Sequence, residues 1–486
     1  MNTLFKNSTE EAPFGFFEQI AQIPRDSGKE KAVSDYIKEQ AEQMGLWCFQ
    51  DENWNLIIKK PASIGCESQP PVILQAHMDM VCEKDPDSTH NFDTDPIPLE
   101  IDGDWLRSAA GTTLGADNGI GVAMCMAVLA SDDLVHPPLE VVLTVQEEST
   151  FHGAETVRWD LLKGRRLINL DHSVEHEVLT GSCGGSGVEV IFPMEQQTVM
   201  ADAKCYDLTI TGLPGGHSGE DIHRGYGSAI QLITRMLRRC RKKFNALLIS
   251  LDGGSSRLAI SRDAHAKICT SADYSEVRAE LRRMELEFCK EYEAVAPALS
   301  MTLSADPIQP KVCFDQLSSD RVLAALTLFP DGIQKMNGAF PGQVESSINL
   351  GILKTESAQI TLTAEIRGGY VSTIKDIQDK ISALSSAFGG TCRFFAQYTP
   401  WESRIQSPLR AAAVNTYREL FHEELKAVVI HAGIECGCFL QSVPELDAIS
   451  LGPNCKYFHS PHECMSISSS KRSWKFLKAL LENLAG

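Results

Sequence analysis

Residues 72–79 read VILQAHMD, a short apolar run that ends in a histidine and, two positions later, an aspartate. The arrangement recurs along the chain: residues 139–145 precede a pair of glutamates, and residues 167–170 precede Asp171. Runs rich in Val, Ile and Leu indicate strands that are buried on both faces of a largely parallel sheet. In open α/β sheets, ligands bind beyond the carboxyl ends of the strands. The sequence therefore predicts an α/β fold with a functional site at this edge of the sheet.

The length of the chain, 486 residues, predicts two domains, because a single core rarely grows so large. From about residue 188 the apolar residues alternate more regularly with polar ones, which favours an α+β domain. We predict an α/β domain with a central, mostly parallel sheet, built from residues 1–187 and 399–486. The α+β domain, residues 188–398, would be inserted between these two parts.

Local signals predict several element boundaries near the start of the chain. One helix is expected at residues 16–23, where a proline ends it. A second helix is expected at residues 29–44, with Asp26 or Ser27 as its cap. Residues 56–60 have the composition of a strand.

Composition and charge exclude several kinds of partner. A formal charge of −19 repels DNA, RNA and anionic membranes, so none of them is expected as a main partner. The first 31 residues lack an uninterrupted apolar core, and no apolar stretch approaches the roughly 20 residues that span a bilayer. Because no export signal is expected, the 15 cysteines are interpreted as reduced thiols in a cytoplasmic protein. Cys436 and Cys438 are interpreted as buried thiols, since no second pair at zinc-finger spacing accompanies them.

Two motifs carry candidate metal ligands. In the first, a histidine at a strand end, His77, can meet a metal while Asp79 orients the ring from behind; a buried structural histidine is the alternative. In the second, the glycine-rich residues 111–119 deliver Asp117 to the start of an apolar helix predicted at residues 120–130. A plain helix cap is the alternative there, but a carboxylate in such a loop can also bridge two cations.

Four further residues extend the set. Glu147 and Glu148 follow a strand of buried character, where adjacent like charges are costly unless something positive lies nearby. One of them can ligate a metal while the other accepts the proton of an attacking water; a solvated turn is the alternative. Asp171 and His459 are ordinary residues individually. Together, two histidines and several carboxylates suit zinc, manganese or cobalt.

The chain resembles the family of di-zinc metallopeptidases that comprises aminoacylases, carboxypeptidases and dipeptidases, and it is most similar to the branch of Xaa-His (cytosol non-specific) dipeptidases. Seven motifs occur in the order and with the spacing of that family, spread over nearly the whole chain. They are VILQAHMDM around His77, GTTLGADNG around Asp117, Glu147-Glu148, NLD ending at Asp171, GGHSG around His217, HAGIECG at residues 431–437, and HSP beginning at His459.

The resemblance implies a role for each matching position. One zinc would be held by His77, Asp117 and Asp171. The second would be held by Asp117, Glu148 and His459, with Asp117 bridging the two ions. Glu147 would be the general base, and Asp79 would orient His77.

Further implications concern the inserted domain, which resembles the family's lid and dimerisation domain and so implies a homodimer. His217 would stabilise the oxyanion, and Arg367 is a candidate for binding the terminal carboxylate of a small peptide substrate. The Asp117–Asn118 peptide would be cis. The implied activity is the hydrolysis of dipeptides, with a C-terminal histidine as a candidate preference.

The chain also departs from the family pattern. Leu258 stands where the family usually has asparagine, and leucine cannot replace the hydrogen bonds of an amide. The substrate preference therefore stays open, and an aminoacylase or deacylase acting on N-acyl amino acids is the alternative activity. A non-catalytic metal-binding or peptide-binding protein is a third hypothesis, against which Glu147 argues because binding a metal requires no base. A serine hydrolase is set aside, since no Gly-x-Ser-x-Gly motif occurs.

Overall fold

The structure, a computed structural model, describes residues 4–5, 11–305 and 310–486. The chain is divided into two structural units. Unit 1 comprises residues 1–182, 403–429 and 434–486, and unit 2 comprises residues 183–402 and 430–433. The second unit is thus an insertion in the sequence of the first. The α/β fold class with an inserted α+β part is confirmed.

The helices and strands are numbered along the whole chain. The helices of the described residues are Ala12–Ile20 (α1), Lys31–Gln43 (α2), Ala116–Ala130 (α3), His152–Thr156 (α4), Ala229–Phe244 (α5), Tyr274–Glu291 (α6), Gln316–Leu328 (α7), Val371–Ala387 (α8), Pro408–Phe421 (α9), Cys436–Ser442 (α10) and Ile467–Ala485 (α11). The strands are Trp47–Gln50 (β1), Leu56–Lys60 (β2), Val72–His77 (β3), Leu99–Asp102 (β4), Trp105–Ser108 (β5), Leu139–Thr144 (β6), Arg166–Asn169 (β7), Glu177–Ser182 (β8), Gly184–Pro193 (β9), Gln196–Thr198 (β10), Lys204–Thr211 (β11), Leu247–Gly253 (β12), Ala264–Thr270 (β13), Ser300–Ala305 (β14), Val312–Phe314 (β15), Gly332–Met336 (β16), Val344–Glu356 (β17), Gln359–Gly368 (β18), Thr391–Tyr398 (β19), Lys426–Ile430 (β20), Asp447–Ser450 (β21), Cys455–Lys456 (β22) and Cys464–Ser466 (β23).

Unit 1 is organised around an eight-stranded sheet with the order β1-β2-β6-β3-β7-β21-β8-β20. The four strands β6, β3, β7 and β21 at its centre run parallel to one another. Strand β2 is antiparallel to β6, and β1 is antiparallel to β2. Every residue of β3 and β6 is buried, which explains their continuous apolar sequences. Because the central strands are parallel, their carboxyl ends lie along one edge of the sheet.

The core of unit 1 includes the helix α3, which is buried on all sides from Asn118 to Leu129. Its uniformly apolar sequence fits that position, since a helix with no polar face is stable only when it is surrounded by other elements. A small four-stranded sheet of order β22-β23-β5-β4 also belongs to unit 1.

Unit 2 contains a nine-stranded sheet in which β14-β11-β13-β12-β17-β18-β9-β19 are neighbours and β16 pairs with β17. The paired strands of this sheet are antiparallel. Its core is formed by the apolar sides of these strands and by α5, α6, α7 and α8. Amphipathic helices beside an antiparallel sheet are the α+β arrangement predicted for this part of the chain.

Among the residues that the structure describes, no helix combines the length and apolar character needed to cross a membrane.

Candidate metal centre

The predicted ligands of unit 1 come from the ends of neighbouring elements. His77 is the last residue of β3, and the glutamate pair follows β6. Asp171 follows β7, and Asp117 lies in the first turn of α3. His459 lies in the loop between β22 and β23. The parallel strands bring His77, the glutamate pair and Asp171 to one edge of the sheet, and the loop between β22 and β23 adds His459, 382 positions after His77.

Side-chain atoms of these residues converge in two groups that share Asp117. In the first group, Nε2 of His77 lies 3.1 Å from Oδ1 of Asp117 and 3.5 Å from Oδ1 of Asp171. In the second, Nε2 of His459 lies 3.5 Å from Oδ2 of Asp117 and 3.0 Å from Oε2 of Glu148. The potential ligand atoms of each group lie within 4.8 Å of one another. One oxygen of Asp117 thus faces each imidazole.

Glu147 lies beside the two groups. With His77 and Glu148 it forms a third set of potential ligand atoms. Burial raises the pKa of Glu147 well above its ordinary value, and the neighbouring carboxylates of Glu148 and Asp171 raise it further. A carboxylate of raised pKa is a stronger base than an ordinary one, which suits proton transfer at this position.

The electrostatics of the cluster favour a cation. Burial raises the pKa of Asp171 to about 7, with a further contribution from Asp117. Burial would lower the pKa of His77, but the surrounding aspartates outweigh this effect and hold its pKa well above the ordinary value. Hydrogen bonds to Asp117 and Glu148 raise the pKa of His459 to about 10. Carboxylates crowded at low solvent exposure attract positive charge, and the mixture of imidazole nitrogen and carboxylate oxygen suits zinc-like ions.

Asp79 lies behind His77 and is buried. Its Oδ1 atom is 3.3 Å from Nδ1 of His77, an ion-pair contact without the geometry of a good hydrogen bond. The same carboxylate accepts hydrogen bonds from the backbone N–H groups of Glu147 and Glu148, at 3.2 and 3.0 Å. One side chain therefore connects the end of β3 with the loop after β6. The Asp117–Asn118 peptide is cis, as the resemblance implies.

The predicted substrate residues lie in unit 2. Nη2 of Arg367 is 3.4 Å from Nε2 of His217 and donates a hydrogen bond to Oγ of Ser218 at 3.2 Å. Its Nη1 atom donates to the Tyr398 hydroxyl at 2.9 Å. Arg367 is only 5% exposed. The structure thus brings His217 and Arg367 together within unit 2. Leu258 is 38% exposed, and its backbone carbonyl accepts a hydrogen bond from Ser218.

Three charged residues of unit 1 were not given a role from the sequence. Arg25 and Glu463 are buried, at 3% and 3% exposure, and contact the backbone of the Asp117 loop. Glu435 accepts hydrogen bonds from Gln75 and Thr144, at 2.7 and 2.8 Å, beneath the strand ends. In the sequence, only the position of Glu463, four residues after the candidate ligand His459, could have indicated a role near the site. No sequence feature indicated a role for Arg25. Within the described residues all fifteen cysteines, including Cys436 and Cys438, are free thiols.

Histidine and carboxylate donors gathered at one edge of a parallel sheet are an arrangement that can hold divalent metal ions in an α/β protein. The family model described as "Peptidase family M20/M25/M40" matches residues 73–483. The chain belongs to this family, whose members are metal-dependent peptide hydrolases.

Individual relatives agree with the family. The chain is 35% identical over 469 residues to the cytosol non-specific dipeptidase of Escherichia coli (strain K12), covering 96% of each protein. It is similar in structure to the aminoacylhistidine dipeptidase from Vibrio alginolyticus, with a TM-score of 0.90, 35% identity and 98% of both chains covered. A tripeptidase from Staphylococcus aureus shares the fold at a TM-score of 0.56 and 16% identity, over 98% of both chains.

Proposed function

We propose that this chain hydrolyses dipeptides with two divalent ions, of which zinc is the favoured identity and manganese or cobalt the alternatives. One ion is held by His77, Asp117 and Asp171. The other is held by Asp117, Glu148 and His459. The observation that carries the proposal is the placement of Asp117, whose two carboxylate oxygens face two different imidazoles.

The residues around the ions have distinct tasks in this proposal. When bound, the ions polarise the scissile carbonyl and lower the pKa of the attacking water. Glu147 accepts the proton of that water at its carboxylate and delivers it to the nitrogen of the departing amine. Its raised pKa, caused first by burial, makes it a stronger base than an ordinary glutamate. Asp79 holds His77 and the backbone of Glu147 in place through its two oxygens.

Substrate binding is assigned to unit 2. We propose that Arg367 pairs with the terminal carboxylate of the peptide through parallel hydrogen bonds. His217 stabilises the negative charge that develops on the carbonyl oxygen. The support is the arrangement of Arg367, whose guanidinium is held by Tyr398 and Ser218 and lies beside His217. Held in this way, it loses little rotamer freedom when a carboxylate binds.

We also propose roles for the two domains, a homodimeric assembly and a location for the protein. Residues 1–187 and 399–486 form the catalytic domain, and residues 188–398 form the lid, through which a homodimer assembles. The protein is cytoplasmic, since a relative 35% identical is called a cytosol dipeptidase. Its net charge of −19 argues against nucleic acid or anionic membrane as a partner.

A dipeptide panel tests the activity. Chelated protein is supplied with zinc, manganese or cobalt and offered Gly-His, Ala-His, Leu-Leu and β-Ala-His beside N-acetyl amino acids. Metal-dependent release of amino acids from the dipeptides is expected. Turnover of the N-acetyl compounds alone would transfer the chain to the deacylases and identify Leu258 as the first residue to mutate. No turnover in the whole panel would favour a binding protein.

A further inference from the structure

Glu463 reaches from the His459 loop to the loop that carries Asp117. Its Oε2 atom accepts hydrogen bonds from the backbone N–H groups of Leu114 and Gly115, at 2.7 and 2.9 Å. Its Oε1 atom accepts those of Ala116 and Asp117, at 2.8 and 3.2 Å. Four consecutive N–H groups at the start of α3 are therefore satisfied by one carboxylate that is distant in sequence. Such N–H groups have no partner within their own helix.

Arg25 supplies the opposite charge. Its guanidinium donates hydrogen bonds to the backbone carbonyls of Met78 and Asp79, at 3.1 and 3.0 Å, and to that of Gly115. Both charged groups contact the backbone of Gly115, Glu463 at its N–H and Arg25 at its carbonyl. The guanidinium thus joins the end of β3 to the Asp117 loop and places a positive charge close to the buried carboxylate, which such a carboxylate requires.

Two of the three glycines of the Asp117 loop, Gly115 and Gly119, are explained by this arginine. A Cβ atom at Gly115 would lie 2.4 Å from Nη2 of Arg25, and one at Gly119 would lie 2.7 Å from the same atom. Gly115 also has a φ of +71°, in the left-handed region that favours glycine. The loop is therefore built to let the guanidinium pass close to its backbone.

We propose that Glu463 is a positioning residue for the metal ion bound by Asp117, Glu148 and His459, with Arg25 as its counter-ion. The two candidate ion sites differ in how much they depend on it. Glu463 fixes the backbone of Asp117 and belongs to the same loop as His459, so it controls two of the three ligands of this site. Of the ligands His77, Asp117 and Asp171 it contacts only Asp117. The inference rests on the proposed metal ligands.

The variant Glu463→Gln changes the hydrogen-bonding groups of the side chain and nearly keeps its volume. Glutamine has nearly the volume of glutamate but offers a single acceptor oxygen, and its amide nitrogen is a donor. Two of the four backbone N–H groups would then face a donor, so the loop must shift. We expect the affinity for the second ion to fall roughly 10–100-fold, as for other residues that orient metal ligands. The affinity for the ion at His77 should change far less.

The test is a Co²⁺ titration of the chelated full-length protein, followed by visible absorption and by metal content after dialysis. Wild type should bind two ions, and E463Q one ion tightly and one weakly. Dipeptide turnover by E463Q should recover when Co²⁺ is raised, with an unchanged KM. Damage to the fold would not be reversed by metal in this way.

Glu140→Gln is the matched control. Glu140 is another buried glutamate of unit 1, and it accepts hydrogen bonds from the backbone N–H groups of Lys163 and Gly164 at 2.8 to 3.0 Å. It lies near the amino end of β6, away from the ligands. Its variant should bind both ions as wild type does.

Two results would overturn the inference: two unweakened ions in E463Q, or equal weakening of both ions. If E463Q does not fold, Glu463→Asp replaces it, because the shorter carboxylate keeps the charge but cannot reach all four backbone N–H groups. Selective loss of the second ion is expected there too, and its absence would overturn the inference. Fewer than two ions in wild type would instead contradict the proposed function itself.

Discussion

Oδ1 of Asp79 accepts a hydrogen bond from the backbone N–H of Glu147 at 3.2 Å. The same carboxylate contacts the ring of His77, so one side chain sets the positions of a candidate ligand and of the candidate base. Replacement of Asp79 by asparagine removes the negative charge and one acceptor. We expect kcat/KM for a dipeptide to fall roughly 10–100-fold.

Asp447→Asn is the control for that measurement. Asp447 also accepts a backbone N–H, that of Leu409 at 2.9 Å, but it lies at the opposite end of β21 from the ligands. Its variant should keep the kcat/KM of wild type. Equal losses in both variants would mean that Asp79 contributes only to folding.

Replacement of Glu147 by glutamine tests the base. The amide cannot take up a proton, while neither proposed set of three ligands contains Glu147. We expect two bound ions and a kcat reduced roughly 10²–10⁴-fold. Metal content and turnover are measured on one preparation, with Glu155→Gln on the neighbouring helix α4 as a control. Substantial remaining turnover at full metal content would assign the proton transfer to another group.

The proposed role of Arg367 predicts that its replacement changes KM and leaves the metal content as it is. Arg367→Lys keeps the charge but loses the planar pair of donors that matches a carboxylate. KM for dipeptides should rise about tenfold or more, with metal content unchanged. Arg393→Lys is the control, because Arg393 lies on β19 in the same sheet and pairs with Glu189 at the surface. An unchanged KM in Arg367→Lys would remove this arginine from substrate binding.

Glu435 predicts a pH dependence of stability. Burial raises its pKa from 4.5 to about 8. Between these values the folded state holds a proton that the unfolded state releases, so the free energy of unfolding falls as pH rises. The fall is at most about 1.4 kcal/mol per pH unit for one group. Glu435→Gln removes this titration and can still accept from Gln75 and Thr144.

Urea unfolding of metal-depleted wild type and Glu435→Gln, from about pH 5 to about pH 8, measures the difference directly. The wild-type curve should decline more steeply with pH than that of the variant. Parallel curves would mean that Glu435 is ionised in the folded protein throughout this range. Buried carboxylates distant from Glu435 titrate alike in both proteins and cancel in the comparison.

The strands were predictable where burial on both faces makes the sequence continuously apolar. Strand β2 has the predicted bounds, Leu56–Lys60, and the run that begins at Val72 is β3. The strand ends also indicated three of the ligand positions, because His77, the glutamate pair and Asp171 each lie at or just after the end of a strand. Local pattern suffices there because each strand carries its own signal of burial.

Helix starts were less predictable, because they depend on contacts from elsewhere. Helix α1 begins at Ala12 rather than residue 16, since Pro13 suits a first helical turn. Helix α2 begins at Lys31 after Glu30, so the predicted caps Asp26 and Ser27 are wrong. The backbone N–H groups at the start of α3 donate to Glu463, which is 346 residues from Asp117.

Both proposed ligand sets contain Asp117, so two metal ions should share its carboxylate. Anomalous diffraction at the zinc edge, from crystals of the zinc-loaded protein, locates the ions. We expect two peaks, one beside His77 and Asp171 and the other beside Glu148 and His459, with Asp117 between them. A single peak, or peaks away from Asp117, would contradict this expectation.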